Sequence, residues 1–150
     1  MKDRSLLQQY ALLVGAAFLV VGILGFIPGI TTNVGDMSFA GDDSPSELFG
    51  LFQVSVLHNL VHLAFGVAGL GLGWQSWDGA RAFLYGAGAI YLVLWLYGLI
   101  VDQTSGWNFV PFDSADDWLH FGLGIAMLGG GIVLAYREPH GPRHPTERIA

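Results

Sequence analysis

The chain has 150 residues, enough for one domain, and 53% of them are hydrophobic whereas only 12% are charged. Soluble domains carry roughly 25% charged residues, so this composition indicates a membrane protein. Six Lys and Arg residues are too few for a nucleic-acid-binding surface, and the absence of cysteine excludes disulfides, thiolate metal sites and cysteine nucleophiles.

Four apolar segments follow one another along the chain, each long enough to cross a hydrocarbon core about 30 Å thick. We predict spans at residues 6–27, 49–74, 82–101 and 118–136. The first segment is longer than the apolar region of a signal peptide, roughly 7–15 residues, so we expect it to be retained. Residues 1–137 are therefore predicted to form an all-α integral membrane four-helix bundle, and residues 138–150 a flexible cytoplasmic tail.

The connections between the segments also have clear signals. Pro28-Gly29 is predicted to end the first span, and Trp74–Gly79 forms a tight connection with interfacial tryptophans between the second and third spans. The segment from Ile30 to Glu47 has a length and a set of turn-forming residues that fit a folded cap as well as a linker.

The charged residues are divided between the two sides of this four-span topology. All six basic residues lie on one side: Lys2, Arg4, Arg81, Arg137, Arg143 and Arg148. Eight of the twelve acidic residues lie on the other side, in loops at residues 30–47 and 102–117. The positive-inside rule then predicts cytoplasmic termini and two acidic outer loops, in a prokaryotic plasma membrane. A soluble four-helix protein would need polar faces with a 3.6-residue period, which the segments lack.

An internal repeat relates the second segment to the fourth. Residues 62–73, HLAFGVAGLGLG, align with residues 120–131, HFGLGIAMLGGG, and each histidine follows a polar residue, Asn59 or Asp117, by three positions. More weakly, LVGA at residues 13–16 resembles LYGA at residues 84–87. We predict two helix-pair repeats of the same orientation, related by an axis along the membrane normal. Chance similarity between glycine-rich spans is the alternative.

Four motifs resemble the domain-of-unknown-function 4383 family of membrane proteins. They are GFIPGITT at residues 25–32, FQVSVLHNLVH at 52–62, YLVLWLYG at 91–98 and NFVP at 108–111. The resemblance extends from about Leu7 to Tyr136 and implies a four-span bacterial or archaeal membrane protein, with no established activity. The family commonly has asparagine where this chain has Asp117.

Polar and small residues share helix faces in the second and fourth segments. His58 and His62 lie one turn apart on a face with Gly66, Gly69 and Gly73, and His120 shares a face with Asp116, Gly124 and Gly131. Small residues let helices approach closely in lipid, so these faces are predicted to turn toward other helices. Counting from Trp74 places His62 about 18 Å from the inner interface, whereas His120 is expected near the outer surface.

The polar cluster is predicted to contain His58, Asn59, His62, Asp116, Asp117 and His120. In our leading interpretation it ties the helices together by hydrogen bonds, and each histidine is expected to bond to Asn59, Asp116 or Asp117. The protein would then be a structural or partner-binding membrane protein without catalysis of its own. Its partners would be the lipid bilayer and either a second copy or another membrane protein, with no nucleic acid.

Two other interpretations stay open. In the second interpretation His62 and His120 bind haem or a transition metal, since neutral imidazole is a suitable ligand for both. No H-E-x-x-H or haem-attachment motif is present, however. A proton or small-solute path along the same cluster is the third interpretation. Tyr91 and Trp95 are interpreted as packing residues rather than as a quinone site.

The predicted topology can be tested by cysteine labelling, since the chain has no cysteine of its own. A cysteine replacing Ser38 or Ser114 should react with a membrane-impermeant thiol reagent added outside the cell, and one replacing Ser76 should not. The reverse pattern would place the acidic loops in the cytoplasm.

Overall fold

The computed structural model describes residues 4–41, 43–101 and 114–138. Four helices dominate this part of the chain: α1 (Leu6–Leu24), α2 (Val56–Gln75), α3 (Trp77–Ile100) and α4 (Ser114–Arg137). All four are long and apolar enough to cross a membrane. The predicted all-α fold with four membrane-spanning helices is therefore confirmed.

Serine hydroxyls cap the first turns of α1, α2 and α3. Each hydroxyl accepts a hydrogen bond from the backbone N–H three residues later, which satisfies one of the donors that a helix start leaves unpaired. The bonds run from Gln8 to Ser5 (3.1 Å), from His58 to Ser55 (3.1 Å) and from Gly79 to Ser76 (2.9 Å).

The second span starts later than predicted. Glu47–Leu48 (β1) and Phe52–Gln53 (β2) form an antiparallel hairpin, and α2 begins only at Val56. The hairpin turn has positive φ at Phe49 (56°) and Gly50 (66°), a backbone conformation outside the right-handed helical region. The predicted start at residue 49 is wrong because an apolar run of residues does not reveal this turn.

The other boundaries shift by a few residues. α1 ends at Leu24 rather than at residue 27, because Ile27 N–H turns back to the Leu24 carbonyl (3.1 Å), which also accepts the Thr31 hydroxyl (3.0 Å). α3 begins at Trp77 rather than at residue 82, since Ser76 alone separates it from α2 in an extended conformation (φ −162°, ψ 163°). α4 begins at Ser114, one turn before the predicted residue 118.

The first acidic loop folds as a cap over one end of the bundle, which we call the cap end. Leu48 of β1 pairs with Thr31, and the backbone N–H of Phe49 donates to Ile30 (3.0 Å). The first residues of α2 are also tied down, because Val56 N–H donates to the Ser38 carbonyl (3.1 Å). The folded cap is thus the correct alternative for this loop. Residues 102–113 of the second acidic loop and residues 139–150 of the predicted tail lie outside the described residues.

The opposite end, the connector end, joins α2 to α3 and holds both ends of the described chain. The Gln8 side chain donates to the Gly73 carbonyl (3.1 Å), and Leu6 N–H donates to the Glu138 carboxylate (2.8 Å). The Arg4 guanidinium lies 3.6 Å from the centroid of the Trp74 ring. Both ends of the described chain therefore lie at one end of the bundle, and the side of the membrane that this end faces stays a prediction.

An apolar core fills the bundle on the connector side of its middle. Its members are contributed by α1, α3 and α4, and their side chains are at most 5% exposed: Leu7, Ala11, Ala80, Phe83, Leu84, Ala87 and Met127. Larger side chains on the outer faces, such as Leu13, Val67 and Val93, are more than 60% exposed in the isolated chain, as expected for surfaces covered by lipid.

The packing of α1 on α2 recurs in the packing of α3 on α4. A Cβ atom on Gly15 would lie 2.6 Å from the backbone nitrogen of Leu70, and one on Gly88 would lie 2.7 Å from that of Leu128. Three more contacts between the first and second spans recur between the third and fourth spans, with the same shift of residue number from first to third span and the same shift from second to fourth. They are Gly25 with Asn59 and Gly98 with Asp117, Leu19 with Gly66 and Leu92 with Gly124, and Ala11 with Gly73 and Leu84 with Gly131. The two helix pairs are therefore structural repeats.

The structure corrects the alignment of the first and third spans. The weak sequence match places Gly15 opposite Gly86, but Gly86 has no neighbouring atom within 4 Å of a Cβ position. Gly88 occupies the equivalent contact instead. In this register Phe18 of α1 corresponds to Tyr91 of α3, and these two rings meet each other edge to face with centroids 5.3 Å apart. The pseudo-two-fold axis thus passes between them.

Gly69 and Gly71 provide a matched pair of variants for this packing. A Cβ on Gly69 would lie 2.6 Å from the Phe83 ring and 2.8 Å from the Gly15 Cα, whereas a Cβ on Gly71 has no neighbour within 4 Å. We expect Gly69→Leu to lower the free energy of unfolding by about 1–3 kcal/mol or more, because the added side chain must push the helices apart. Gly71→Leu should leave it unchanged or raise it, since leucine favours helix more than glycine does.

Thermal unfolding and elution volume in a mild detergent measure the effect. If Gly69→Leu and Gly71→Leu behave alike in both measurements, the glycine contacts do not determine the packing.

Candidate functional site

The predicted polar residues lie in the first two turns of α2 and α4. His62 is the seventh residue of α2 and His120 is the seventh residue of α4, so each lies about 9 Å from the start of its helix. The two histidines therefore have equal depth in the bundle. The prediction of unequal depths is wrong, because the hairpin of β1 and β2 removes residues 49–55 from the second span.

Most of these polar side chains are buried by the protein itself. The exposed fractions are 8% for His58, 1% for Asn59, 2% for Asp116, 4% for Asp117 and 4% for His120, and His62 is half-buried. A polar group in a membrane-spanning segment is costly unless it finds partners, so its contacts reveal its role.

His62 is held by its own helix and by α3. Its Nδ1 lies 3.1 Å from the His58 carbonyl, which only accepts hydrogen bonds, so Nδ1 donates. In the neutral ring Nε2 is then an acceptor, and it lies 3.4 Å from the Tyr91 hydroxyl. The His58 ring stacks on the His62 ring with centroids 4.5 Å apart.

His120 has a matching arrangement in the second helix pair. Its Nδ1 donates to the Asp116 carbonyl at 2.8 Å and lies 3.3 Å from the Asp116 Oδ2. Its ring stacks on the Tyr91 ring with centroids 4.8 Å apart. His120 thus contacts Asp116, one of the predicted hydrogen-bond partners, whereas His62 contacts Tyr91, which was not among them.

Tyr91 is the central residue of this cluster, and the sequence did not identify it. Its side chain is 2% exposed, its hydroxyl contacts His62 and its ring contacts both His120 and Phe18. The interpretation as a packing residue describes the ring and omits the hydroxyl. Aligning Gly15 with Gly88 would have paired Tyr91 with Phe18 and indicated that Tyr91 faces the interior.

Asn59 and Asp117 occupy equivalent places, each against a glycine of the neighbouring helix. Asn59 packs its amide against Gly25, and Asp117 packs its carboxylate against Gly98, at positions where any Cβ would overlap these side chains. The Asn59 amide also donates to the Met37 sulfur (3.5 Å), which links α2 to the cap. Asn59 thus joins α2 to the end of α1, and Asp117 joins α4 to α3, both at the cap end.

Metal ligation needs several donors directed at one point. Over residues 4–41, 43–101 and 114–138, no group of three or more His, Asp or Glu side chains has an arrangement that could hold a metal ion. What the contacts do form is a hydrogen-bonded and stacked series, from His58 through His62 and Tyr91 to His120.

The chain finds no match among curated proteins or among solved structures. A family model described as a domain of unknown function, DUF4383, matches residues 8–133. That match includes all four helices almost completely and every residue of the polar cluster, so the protein belongs to the DUF4383 family.

Proposed function

We propose that this chain is a multi-pass protein of a prokaryotic plasma membrane with a structural or partner-binding role and no catalysis of its own. The polar cluster fastens the four helices together in the cap half of the bundle. The observation that carries this proposal is the contact of Tyr91 with both histidines, because it joins the two helix pairs through buried side chains.

The donor and acceptor positions of the histidines support this role. Nδ1 of His62 and Nδ1 of His120 each bond to a carbonyl one turn earlier in the same helix, which fixes the direction of each ring. With its ring so directed, His62 presents Nε2 to Tyr91. Hydrogen bonds between membrane helices contribute about 0.6 kcal/mol on average, so the cluster adds modest stability and a defined register.

Ligation of haem or a transition metal by His62 and His120 is less well supported. A ligand would need an imidazole nitrogen directed at the metal, but Nε2 of His62 is directed at the Tyr91 hydroxyl and the His120 ring lies against the Tyr91 ring. Binding of haem between the two histidines would require Tyr91 to move out of the core.

A proton or solute path is also less well supported. The polar side chains of the cluster lie in the cap half, whereas the connector half is filled by apolar side chains such as Leu7, Leu84 and Met127, each at most 1% exposed. A proton crossing the membrane would meet this close-packed region with no polar group of the cluster to receive it.

Tyr91→Phe tests the fastening role, because it removes the hydroxyl and keeps the ring that stacks on His120 and Phe18. We expect a loss of about 0.6 kcal/mol in the free energy of unfolding, and at most about 1.7 kcal/mol. Tyr85→Phe is the control: within the described residues the Tyr85 hydroxyl makes no hydrogen bond, so this variant should unfold like the parent. Unfolding in mixed detergent micelles measures the difference.

His62→Ala separates fastening from ligand binding. We expect this variant to fold with a stability loss of about 1–3 kcal/mol, because the buried Tyr91 hydroxyl loses its acceptor. The purified parent protein should show no Soret absorption and no stoichiometric metal. A Soret band or a bound metal that is present in the parent and absent from His62→Ala would contradict the proposal and support the ligand-binding alternative.

A further inference from the structure

The cap hairpin has a residue at its turn that the backbone disfavours. Leu51 N–H donates to the Leu48 carbonyl (3.1 Å) across a turn whose two central residues, Phe49 and Gly50, both have positive φ. Both residues thus lie in the left-handed region, which glycine and asparagine adopt more readily than other residue types. Phenylalanine strains the first position, so the turn alone does not account for Phe49.

The turn also exposes large apolar side chains. Phe49 is 63% exposed and Leu51 is 58% exposed, although the neighbouring Leu48 is only 4% exposed and packs into the cap. Strained backbone that is retained in a structure indicates a role for the side chain that it presents. Here the strained position presents an aromatic ring to the surroundings of the protein.

The attachment of the hairpin sets its height relative to the bilayer. Phe49 N–H bonds to Ile30, and Thr31 both pairs with Leu48 and donates its hydroxyl to Leu24, the last residue of α1. With 19 residues α1 is about 28 Å long, close to the thickness of the hydrocarbon core. The turn therefore lies near the boundary between acyl chains and headgroups at the cap end.

Large apolar side chains are exposed at the end of the first span as well as at the turn. Ile23 of α1 is 47% exposed and Ile27, just after α1, is 37% exposed. The exposed side chains of a membrane-spanning helix meet lipid, so lipid is the medium that fits apolar side chains exposed at this height.

We propose that the turn Phe49–Leu51 inserts into the headgroup–acyl boundary of the leaflet at the cap end and anchors the cap to the bilayer. Burial of the two apolar side chains in lipid offsets the strain of phenylalanine at a position that prefers asparagine. This assigns the hairpin a lipid-binding surface, and it depends neither on the proposed role of the histidine cluster nor on which side of the membrane the cap faces.

Nitroxide probes on single cysteines measure this insertion, since the chain has no other cysteine. One probe replaces Leu51, and a control probe replaces Asp36, an exposed residue in the 3₁₀ turn Val34–Asp36 of the same cap. The protein is reconstituted in phosphatidylcholine vesicles, and collision rates with oxygen and with a water-soluble nickel chelate are compared. We expect the oxygen-to-nickel ratio at Leu51 to exceed that at Asp36 several-fold.

Equal, water-like ratios at the two sites would overturn the proposal and would direct attention to a protein partner for the exposed turn. Phe49→Asn provides a second measurement, in which stability is expected to be kept or raised while insertion into lipid is weakened. In detergent this variant should have a thermal midpoint equal to or above that of the parent, while the probe at Leu51 in vesicles should lose much of its oxygen-to-nickel ratio. A large fall in the midpoint with an unchanged probe ratio would show that protein contacts hold Phe49, and would also overturn the proposal.

Discussion

Close contact between glycine and the backbone of the next helix is the constraint on which the rest of this bundle depends. Burial of apolar surface does not drive helix association in lipid, so van der Waals contact and interhelical hydrogen bonds must do so. Gly15 meets the backbone at Gly69 and Leu70, and Gly66 meets that of Leu19. Because the helices approach so closely, Asn59 and Asp117 are enclosed against neighbouring glycines instead of facing acyl chains.

The two halves share one backbone arrangement but differ in side chains where the axis passes. In both halves a histidine donates Nδ1 to the carbonyl four residues earlier, which belongs to His58 in one half and to Asp116 in the other. That bond is a property of the repeat. The Tyr91 hydroxyl is a property of one half only, since the equivalent residue is Phe18. The chemistry that distinguishes this protein from a symmetric bundle is therefore concentrated around Tyr91, whose hydroxyl lies across the axis from its own helix pair, 3.4 Å from Nε2 of His62.

Membrane crossing was predictable because it depends on length and composition, and the histidine repeat was visible because His62 and His120 stand within matching glycine patterns. The hairpin was not predictable, since Phe49 occupies a conformation that this residue type disfavours. Tyr91 was missed because α1 and α3 share few residue types, and an error of two positions turns Tyr91 away from Phe18. The contacts of Asn59 and Asp117 depend on the rotation of one helix against another, which hydropathy does not determine.

The connection between α2 and α3 has a mechanical consequence. One extended residue, Ser76, separates these helices, whereas the path from α1 to α2 includes the whole cap. The two helices cannot separate at Ser76 without unwinding, and the bond from Leu6 to Glu138 closes the other side of the same end. A relative tilt of the two helix pairs about this end would displace the cap half most, so it would have to break the contacts of Tyr91 with His62 and His120.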